Sequence, residues 1–276
     1  MFRRTRSDPV AIAPDWRSYD RVAEEYDRVR APIHEPAAHD LVEVMGTPAD
    51  GGFLDVGAGT GVVAAAAEAA GWRPTVAVDR SLPMLVRARG RGVHRLALAD
   101  AVDLPFRDGR FGAVAGGFLL HVVPNYETLL FDMARVLRPG GALGAATWDW
   151  SRDEFSDTWR SVAETFTTKD LLDDAMRRAA PWAERFSKPD PLKEALREAG
   201  LRNIRVDRRQ HRATVSIEDY LAGREISALG RFLREIQGET LWERFRERVA
   251  ATFRERFADP IGDTNDVLLA VGTKPA

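Results

Sequence analysis

Cysteine is absent from the sequence. That excludes disulfides, thiolate metal sites and a cysteine nucleophile, and it fits a reducing, cytoplasmic setting. Long apolar runs are absent too: no stretch reaches 18 residues, so no membrane-spanning helix is expected. Neither sign of charge is in excess, since 40 Lys and Arg face 42 Asp and Glu, a formal net charge of −2. The chain has no whole-protein attraction for nucleic acid or an anionic membrane, and neither is expected as a partner. Internal repeats and low-complexity segments are missing. The opening "MFRRTRSDPVAIAP" has an apolar stretch too short for a signal peptide, and Pro9 and Pro14 break it. Residues 1–15 read as a flexible tail, with Arg3, Arg4 and Arg6 solvated.

What is present is enough for one large α/β domain with an insertion: 276 residues, 45% of them hydrophobic. "SYDRVAEEYDRVR" (18–30) has helical spacing, with Ser18 as a cap, and a second helix is expected over 36–45. From residue 53 the pattern changes to strand and helix in alternation. "FLDV" and "TVAVD" are short apolar runs of the kind buried in a parallel sheet, and "RLALAD", "FGAVAGGF" and "GALGAATW" continue the series. Helices lie between them, one of them capped by Ser81 with Pro83 in its first turn. This rhythm implies a mostly parallel sheet with helices on both faces and a ligand site beyond the carboxyl ends of the strands.

After Trp150 the rhythm stops. Residues 151–260 are read as a helical insertion holding one core strand, and 261–276 as the final core strand. Residues 16–150 then form the cofactor-binding core with its N-terminal lid helices. Within the insertion, Leu241, Phe245, Val249, Phe253 and Phe257, with Trp242 beside them, give one apolar face of a long helix. The arginines between 177 and 256 are interleaved with glutamates, which reads as a solvated, ion-paired surface.

The chemistry-bearing stretch is "FLDVGAGTG" (53–61). Glycines after a strand let the chain turn tightly and let a ligand approach without a Cβ in the way. The following helix then aims its free N–H groups at that ligand. The spacing Gly57, Gly59, Gly61 is not the dinucleotide GxGxxG, because residue 62 is Val, and no G-K-[ST] marks a P-loop. By itself the glycine pattern is also compatible with a bare turn. Acids at successive strand ends argue for more. Asp79 can accept two hydrogen bonds from a ribose diol and would repel a 2′-phosphate. Asp100, after the third strand, can bond an exocyclic adenine amine. Asp55 precedes the glycines, a poor neighbour for a pyrophosphate and a good one for an ammonium group.

In "LDVGAGTG", "VAVDRSLPML", "LALADAVDLPFRDGRFGAV", "FLLHVV" and "ARVLRPGGAL", taken in order, the chain resembles the class I S-adenosylmethionine-dependent methyltransferases. More narrowly it is similar to the small-molecule group typified by the ubiquinone and menaquinone C-methyltransferases, and "YDRVAEEYD" (19–27) looks like that group's N-terminal helix. The resemblance runs from about residue 16 to 150 and resumes weakly at the last strand. It implies a Rossmann-like fold with a seven-stranded sheet, a helical lid, S-adenosylmethionine as cofactor and S-adenosylhomocysteine as product. It implies that Asp55, Gly57, Ala58, Gly59 and Gly61 hold the methionine part and that Asp79 holds the ribose, bordered by Arg80, Ser81 and Leu82. It sets Asp100 and Ala101 at the adenine with Leu104 and Phe106 nearby, Phe118 and His121 facing the methyl, and Tyr19 and Tyr26 closing over the cofactor. Two positions depart from the pattern: Gly112 stands where Asp is frequent, at the far end of the fourth strand, and Arg80 where an apolar residue is common.

Methyl transfer from a sulfonium is an in-line displacement in which the protein aligns the reactants and excludes water. A base is needed only where the nucleophile must lose a proton. His121 is the candidate base and His34, in the N-terminal lid, a weaker one; His39, His94 and His211 read as surface or structural residues. Carboxylates after the fourth and fifth strands are too few for a catechol-type metal site, and no metal is expected. Trp148, Trp150, Phe155 and Trp159, with His34, are the candidate walls of a pocket for a flat or greasy acceptor. The expected function is methyl transfer to oxygen or carbon of a small organic acceptor. Cyclisation or rearrangement on the same fold, and a non-catalytic binding role, are the alternatives.

Overall fold

The computed structural model describes residues 15–48, 50–149 and 153–276. Arg3, Arg4, Arg6 and Trp150 lie outside the described residues. Among the described residues, seven strands form one sheet in the order β3-β2-β1-β4-β5-β7-β6. They are β1 (Phe53–Val56), β2 (Thr75–Asp79), β3 (Leu96–Leu98), β4 (Phe111–Gly117), β5 (Leu137–Trp148), β6 (Arg202–Val215) and β7 (Ile261–Thr273). β1 to β5 pair in parallel, and β7 runs antiparallel to both β5 and β6. This is the expected α/β class, a Rossmann-like, mostly parallel seven-stranded sheet. Chain order reverses at β1 and β4, so their carboxyl ends flank the crevice where ligands bind in such sheets.

β1 is buried at all four positions, which is why it reads as an unbroken apolar run with a single acid. Its side chains alternate between two cores. Leu54 and Val56 join Leu129, Leu130 and Met133 of α5 (Tyr126–Val136), Phe186 of α8 (Ala183–Phe186) and Leu192 and Leu196 of α9 (Pro189–Glu198). Phe53 faces the other way, with Leu41 and Met45 of α2 (Ala31–Met45) and Val63 and Ala66 of α3 (Val62–Ala69). A third core lies in the insertion, where α6 (Glu154–Ala163), α7 (Lys169–Ala179), α10 (Ile217–Glu225) and α11 (Ala228–Arg256) bury Trp159, Leu172, Leu221, Leu233, Trp242 and Phe245 among themselves.

Several expected boundaries shift for physical reasons. The helix expected over 18–30 is a 3-10 turn at Asp20–Val22 followed by α1 (Ala23–Val29). α2 starts at Ala31 rather than 36, because its buried face, Ala31, His34, Ala37, Ala38 and Leu41, continues back through Pro36. Pro36, at the expected start, is an interior residue of the helix. The insertion is not a single lid: α8 and α9 return to the sheet and pack in the first core, leaving α6, α7, α10 and α11 as the separate helical layer. The apolar face of α11 is Trp242, Phe245, Val249 and Phe253, while Leu241 is 36% exposed. Residues spaced strictly by four drift about 40° per step around a 3.6-residue helix, so the buried stripe follows the 3-4 alternation. The chain also bends at Gly238, with φ 69° and ψ 170°, which divides this stripe from the buried Leu229, Phe232 and Leu233 before it.

Candidate active site

The site is built at the carboxyl end of β1. Gly57 and Gly61 have φ of +65° and +82°, in the left-handed region. A Cβ on Gly61 would stand 2.8 Å from the Cβ of Ala88 in α4 (Leu82–Gly90), and one on Gly57 would stand 2.6 Å from Leu119. These two glycines therefore serve conformation and close approach together. Asp55 is the penultimate residue of the strand beneath them. Its Oδ2 accepts the Ala64 N–H at 2.9 Å, in the first turn of α3, and the residue is 1% exposed. Burial pushes its carboxyl up to about 8, the charge of Asp79 adding to the shift.

Asp79 ties two loops together. Its Oδ2 accepts the Gly59 N–H at 2.8 Å and its Oδ1 accepts the Ser81 N–H at 2.8 Å. Burial raises its pKa, opposed by those two hydrogen bonds. Ser81 caps α4, accepting the Met84 N–H at 3.4 Å, and its hydroxyl donates to Asp20 at 2.6 Å. Arg80 is exposed, as is Asp100, whose Oδ1 accepts the Val102 N–H at 3.1 Å in the turn that also holds Ala101. Ala58 lines the base of the loop, its N–H bonded to the Val78 carbonyl at 2.9 Å. Leu104, expected near the adenine, is buried in the first core, and Phe106 packs edge-on against Phe111 with centroids 5.0 Å apart.

The N-terminal helices are clamped over this loop. Arg91, just past α4, reaches Asp27 of α1 at 2.6 Å, Glu35 of α2 at 2.5 Å and the Thr60 carbonyl at 3.2 Å. Sequence reading missed Arg91, Asp20, Asp27 and Glu35. The signal available for two of them was the repeat of Tyr-Asp at 19–20 and 26–27, two helical turns apart. From the insertion, Arg231 lies over the Tyr19 ring at 4.4 Å and donates to the Trp16 carbonyl at 2.6 Å.

A continuous line of rings leads from there into the sheet. Tyr19 meets Tyr26 edge-on at 5.5 Å, and Tyr26 stacks on His34 at 5.8 Å and 14°. His34 touches Phe118 at 4.8 Å and Trp148 at 5.3 Å, and Phe118 stacks on Trp148 at 4.2 Å and 29°. Phe118 follows β4 with φ +57°, a left-handed conformation that costs a non-glycine residue roughly 1–3 kcal/mol. Its N–H bonds the Ala146 carbonyl at 2.8 Å, which pins the strained residue between the ends of β4 and β5. His121 is buried, and burial lowers its pKa to about 4. Its carbonyl accepts the Trp182 N–H at 3.2 Å.

Two expected pocket walls sit elsewhere. Trp159 is 1% exposed inside the third core, edge-on to Phe245 at 5.4 Å and beneath the Arg224 guanidinium at 4.7 Å. Phe155 packs against Phe257 at 4.8 Å and Tyr220 at 5.9 Å. Both were grouped with Trp148 because they are near in sequence, but α6 turns them into its own helical layer. His39 and His94 are exposed, and His211 lies 3.3 Å from Asp40.

A known domain family, described as a methyltransferase domain, matches residues 54–145. The match opens inside β1, carries the glycine loop with Asp55 and Asp79, and ends in β5. Residues 54–145 are a methyltransferase domain. Demethylmenaquinone methyltransferase of Geobacillus kaustophilus is 37% identical over 137 residues, covering 45% of this chain and 58% of that enzyme. This chain thus spans a little over half the length of the curated relatives it matches. A SAM-dependent methyltransferase of Thermotoga maritima aligns with a TM-score of 0.55 at 17% identity, over 95% of this chain and 100% of that one. Phosphoethanolamine N-methyltransferase 2 of Haemonchus contortus, solved with phosphomonomethylethanolamine and S-adenosylhomocysteine, aligns with a TM-score of 0.55 at 15% identity, over 96% and 61%. At such identities the structural likeness establishes the class I methyltransferase fold.

Proposed function

We propose that the chain is an S-adenosylmethionine-dependent enzyme that methylates oxygen or carbon of a small, flat organic acceptor of the quinone or specialised-metabolite kind. The observation that carries this reading is the pair of acids around the glycine loop, Asp55 buried and Asp79 half-buried. Asp55 is enclosed with one backbone N–H for company, a site that burial keeps protonated until a cation arrives. Asp79 is held by two N–H groups in a fixed orientation above the next strand. An ammonium group suits the first and a ribose diol suits the second, and S-adenosylmethionine carries both. The menaquinone-pathway relative, matched over the domain alone, supports a flat acceptor.

When bound, S-adenosylmethionine supplies a methyl group on a positively charged sulfur, so the leaving group is activated in advance. The residues of the chain do the rest. Asp55 and the loop Gly57–Gly61 hold the amino-acid end, Asp79 the ribose, and Asp100 and Ala101 the adenine edge. Tyr19 and Tyr26, clamped through Arg91 and Arg231, cover the site and exclude water. Phe118 and Trp148 present an aromatic wall at the ends of β4 and β5, where an acceptor would lie. His121 and His34 both stay neutral at working pH.

The direct test is transfer of label from methyl-labelled S-adenosylmethionine to a panel of hydroxyarenes and quinols, with S-adenosylhomocysteine measured in parallel. Labelled acceptor with equimolar S-adenosylhomocysteine is the expected result. Acceptor conversion without S-adenosylhomocysteine would replace methyl transfer by a rearrangement on the same fold.

Proton linkage gives a second check. In the free protein Asp55 titrates near 8, so at pH 7 it is largely protonated. An ammonium beside it favours the carboxylate, so donor binding at pH 7 should release close to one proton. The release should fade as pH rises beyond the free-state pKa, where the carboxyl is ionised before binding. Calorimetric titrations in phosphate and in Tris, whose ionisation heats differ, should give different binding heats at pH 7. Asp55→Asn should remove most of the difference, and equal heats for the native protein would count against an ammonium at this site.

A further inference from the structure

We propose that His34 Nε2 is the atom that recognises the acceptor: it accepts a hydrogen bond from a neutral hydroxyl on a flat aromatic molecule seated against Phe118 and Trp148. This rests on the functional reading above and adds a substrate class to it, namely hydroxyarenes in their protonated form.

His34 Nδ1 lies 2.7 Å from the Arg30 carbonyl oxygen, one helical turn back in the chain. A carbonyl only accepts, so Nδ1 carries the hydrogen. The neutral ring then presents a lone pair at Nε2, and this atom makes no hydrogen bond to any described residue. The side chain is 5% exposed. The lone pair is left free for a donor, and a hydroxyl hydrogen placed there would make a hydrogen bond worth roughly 0.5–1.5 kcal/mol net.

Position and electrostatics agree with that role. The ring is fixed on one side by the Tyr26 stack and on the other touches both members of the Phe118–Trp148 pair. An aromatic acceptor lying against that pair brings a ring substituent within reach of the imidazole edge. Burial, with the charges of Arg30 and His121 adding, lowers the His34 pKa to about 3. The lone pair is therefore available at any working pH. It would attract a hydroxyl hydrogen and repel a phenolate or a carboxylate. A group this weakly basic orients the hydroxyl and does not store its proton.

The test uses 2-naphthol and its deoxy counterpart naphthalene as probes, measured by equilibrium dialysis with the full chain, with and without S-adenosylhomocysteine. The native protein should prefer 2-naphthol by about tenfold, the ratio one hydrogen bond of about 1.4 kcal/mol supplies. His34→Gln places an amide oxygen near the Nε2 position and should keep most of the preference. His34→Asn keeps a donor for the Arg30 carbonyl, lacks an acceptor at that reach, and should lose the preference. His34→Phe, which preserves the ring stack, should lose it equally and serves if the Asn variant does not fold. No preference in the native protein, or a preference undiminished in the Asn or Phe variant, overturns the assignment. S-adenosylhomocysteine binding is titrated on the same samples. Its absence would sink the methyl-donor reading, whereas the naphthol comparison reports on His34 alone.

Discussion

Asp79→Ala is expected to raise the dissociation constants for S-adenosylmethionine and S-adenosylhomocysteine by at least about a hundredfold while leaving the thermal midpoint nearly unchanged. The magnitude follows from two hydrogen bonds between a carboxylate and a ribose diol, each worth roughly 1.5–3 kcal/mol. The carboxylate is pre-set for them: the Gly59 and Ser81 N–H groups, both at 2.8 Å, fix its plane. Removing it also releases the loop containing Gly59 from the cap of α4, which adds to the loss without opening a core. Asp79→Asn, which keeps an acceptor oxygen but no charge, should fall between. Calorimetric titration of the three proteins reads the effect, with NAD as a ligand that should not bind. If the Ala variant binds S-adenosylmethionine within about threefold of the native protein, the glycines at 57, 59 and 61 form a turn and no donor site. The sign with pH is also fixed. Burial raises the Asp79 pKa, and ribose binding favours the carboxylate, so donor affinity should weaken as pH falls through the acid range.

The parts of the molecule that were legible in the sequence are those whose logic is local. Each strand from β1 to β5 is a short apolar run, the glycines follow one of them directly, and the acids Asp55, Asp79 and Asp100 sit at strand ends. A parallel sheet converts that sequential order into spatial order, because every strand's carboxyl end arrives at the same edge. What was not legible depends on which layer an element joins. Nothing local tells α9 to bury Leu192 and Leu196 against β-strands while α7 buries Leu172 against α11, since both are amphipathic helices rich in charge. His34 is a similar case. On its own it is a histidine on an alanine-rich helix face, and its weight comes from meeting Phe118 and Trp148, residues 84 and 114 positions away. The Arg91 clamp was hidden for the same reason, as its carboxylate partners Asp27 and Glu35 lie in other helices.

Trp159→Ala should be the most damaging single substitution for stability in the helical layer, and it should leave donor binding intact. The indole is 1% exposed, edge-on to Phe245 at 5.4 Å and capped by Arg224 at 4.7 Å. Removing a fully buried Trp costs about 3–5 kcal/mol, because the transfer term and the cavity left behind add. Four helices share this core with few connections to the sheet, so a void there is repaired only by shifting α6 against α11. In a chain of this size such a loss corresponds to a fall of about 6–15 °C in Tm. S-adenosylhomocysteine titrated into the variant below its transition should show native affinity, since Asp55, Asp79 and the glycine loop lie outside the third core. The counterpart is Trp148→Ala, which removes half of a stack at the end of β5 and should act mainly on the acceptor. If Trp159→Ala instead melts like the native protein and weakens acceptor binding, Trp159 is a pocket wall after all. The sequence neighbourhood of Trp148 would then have been the better guide than the packing of α6.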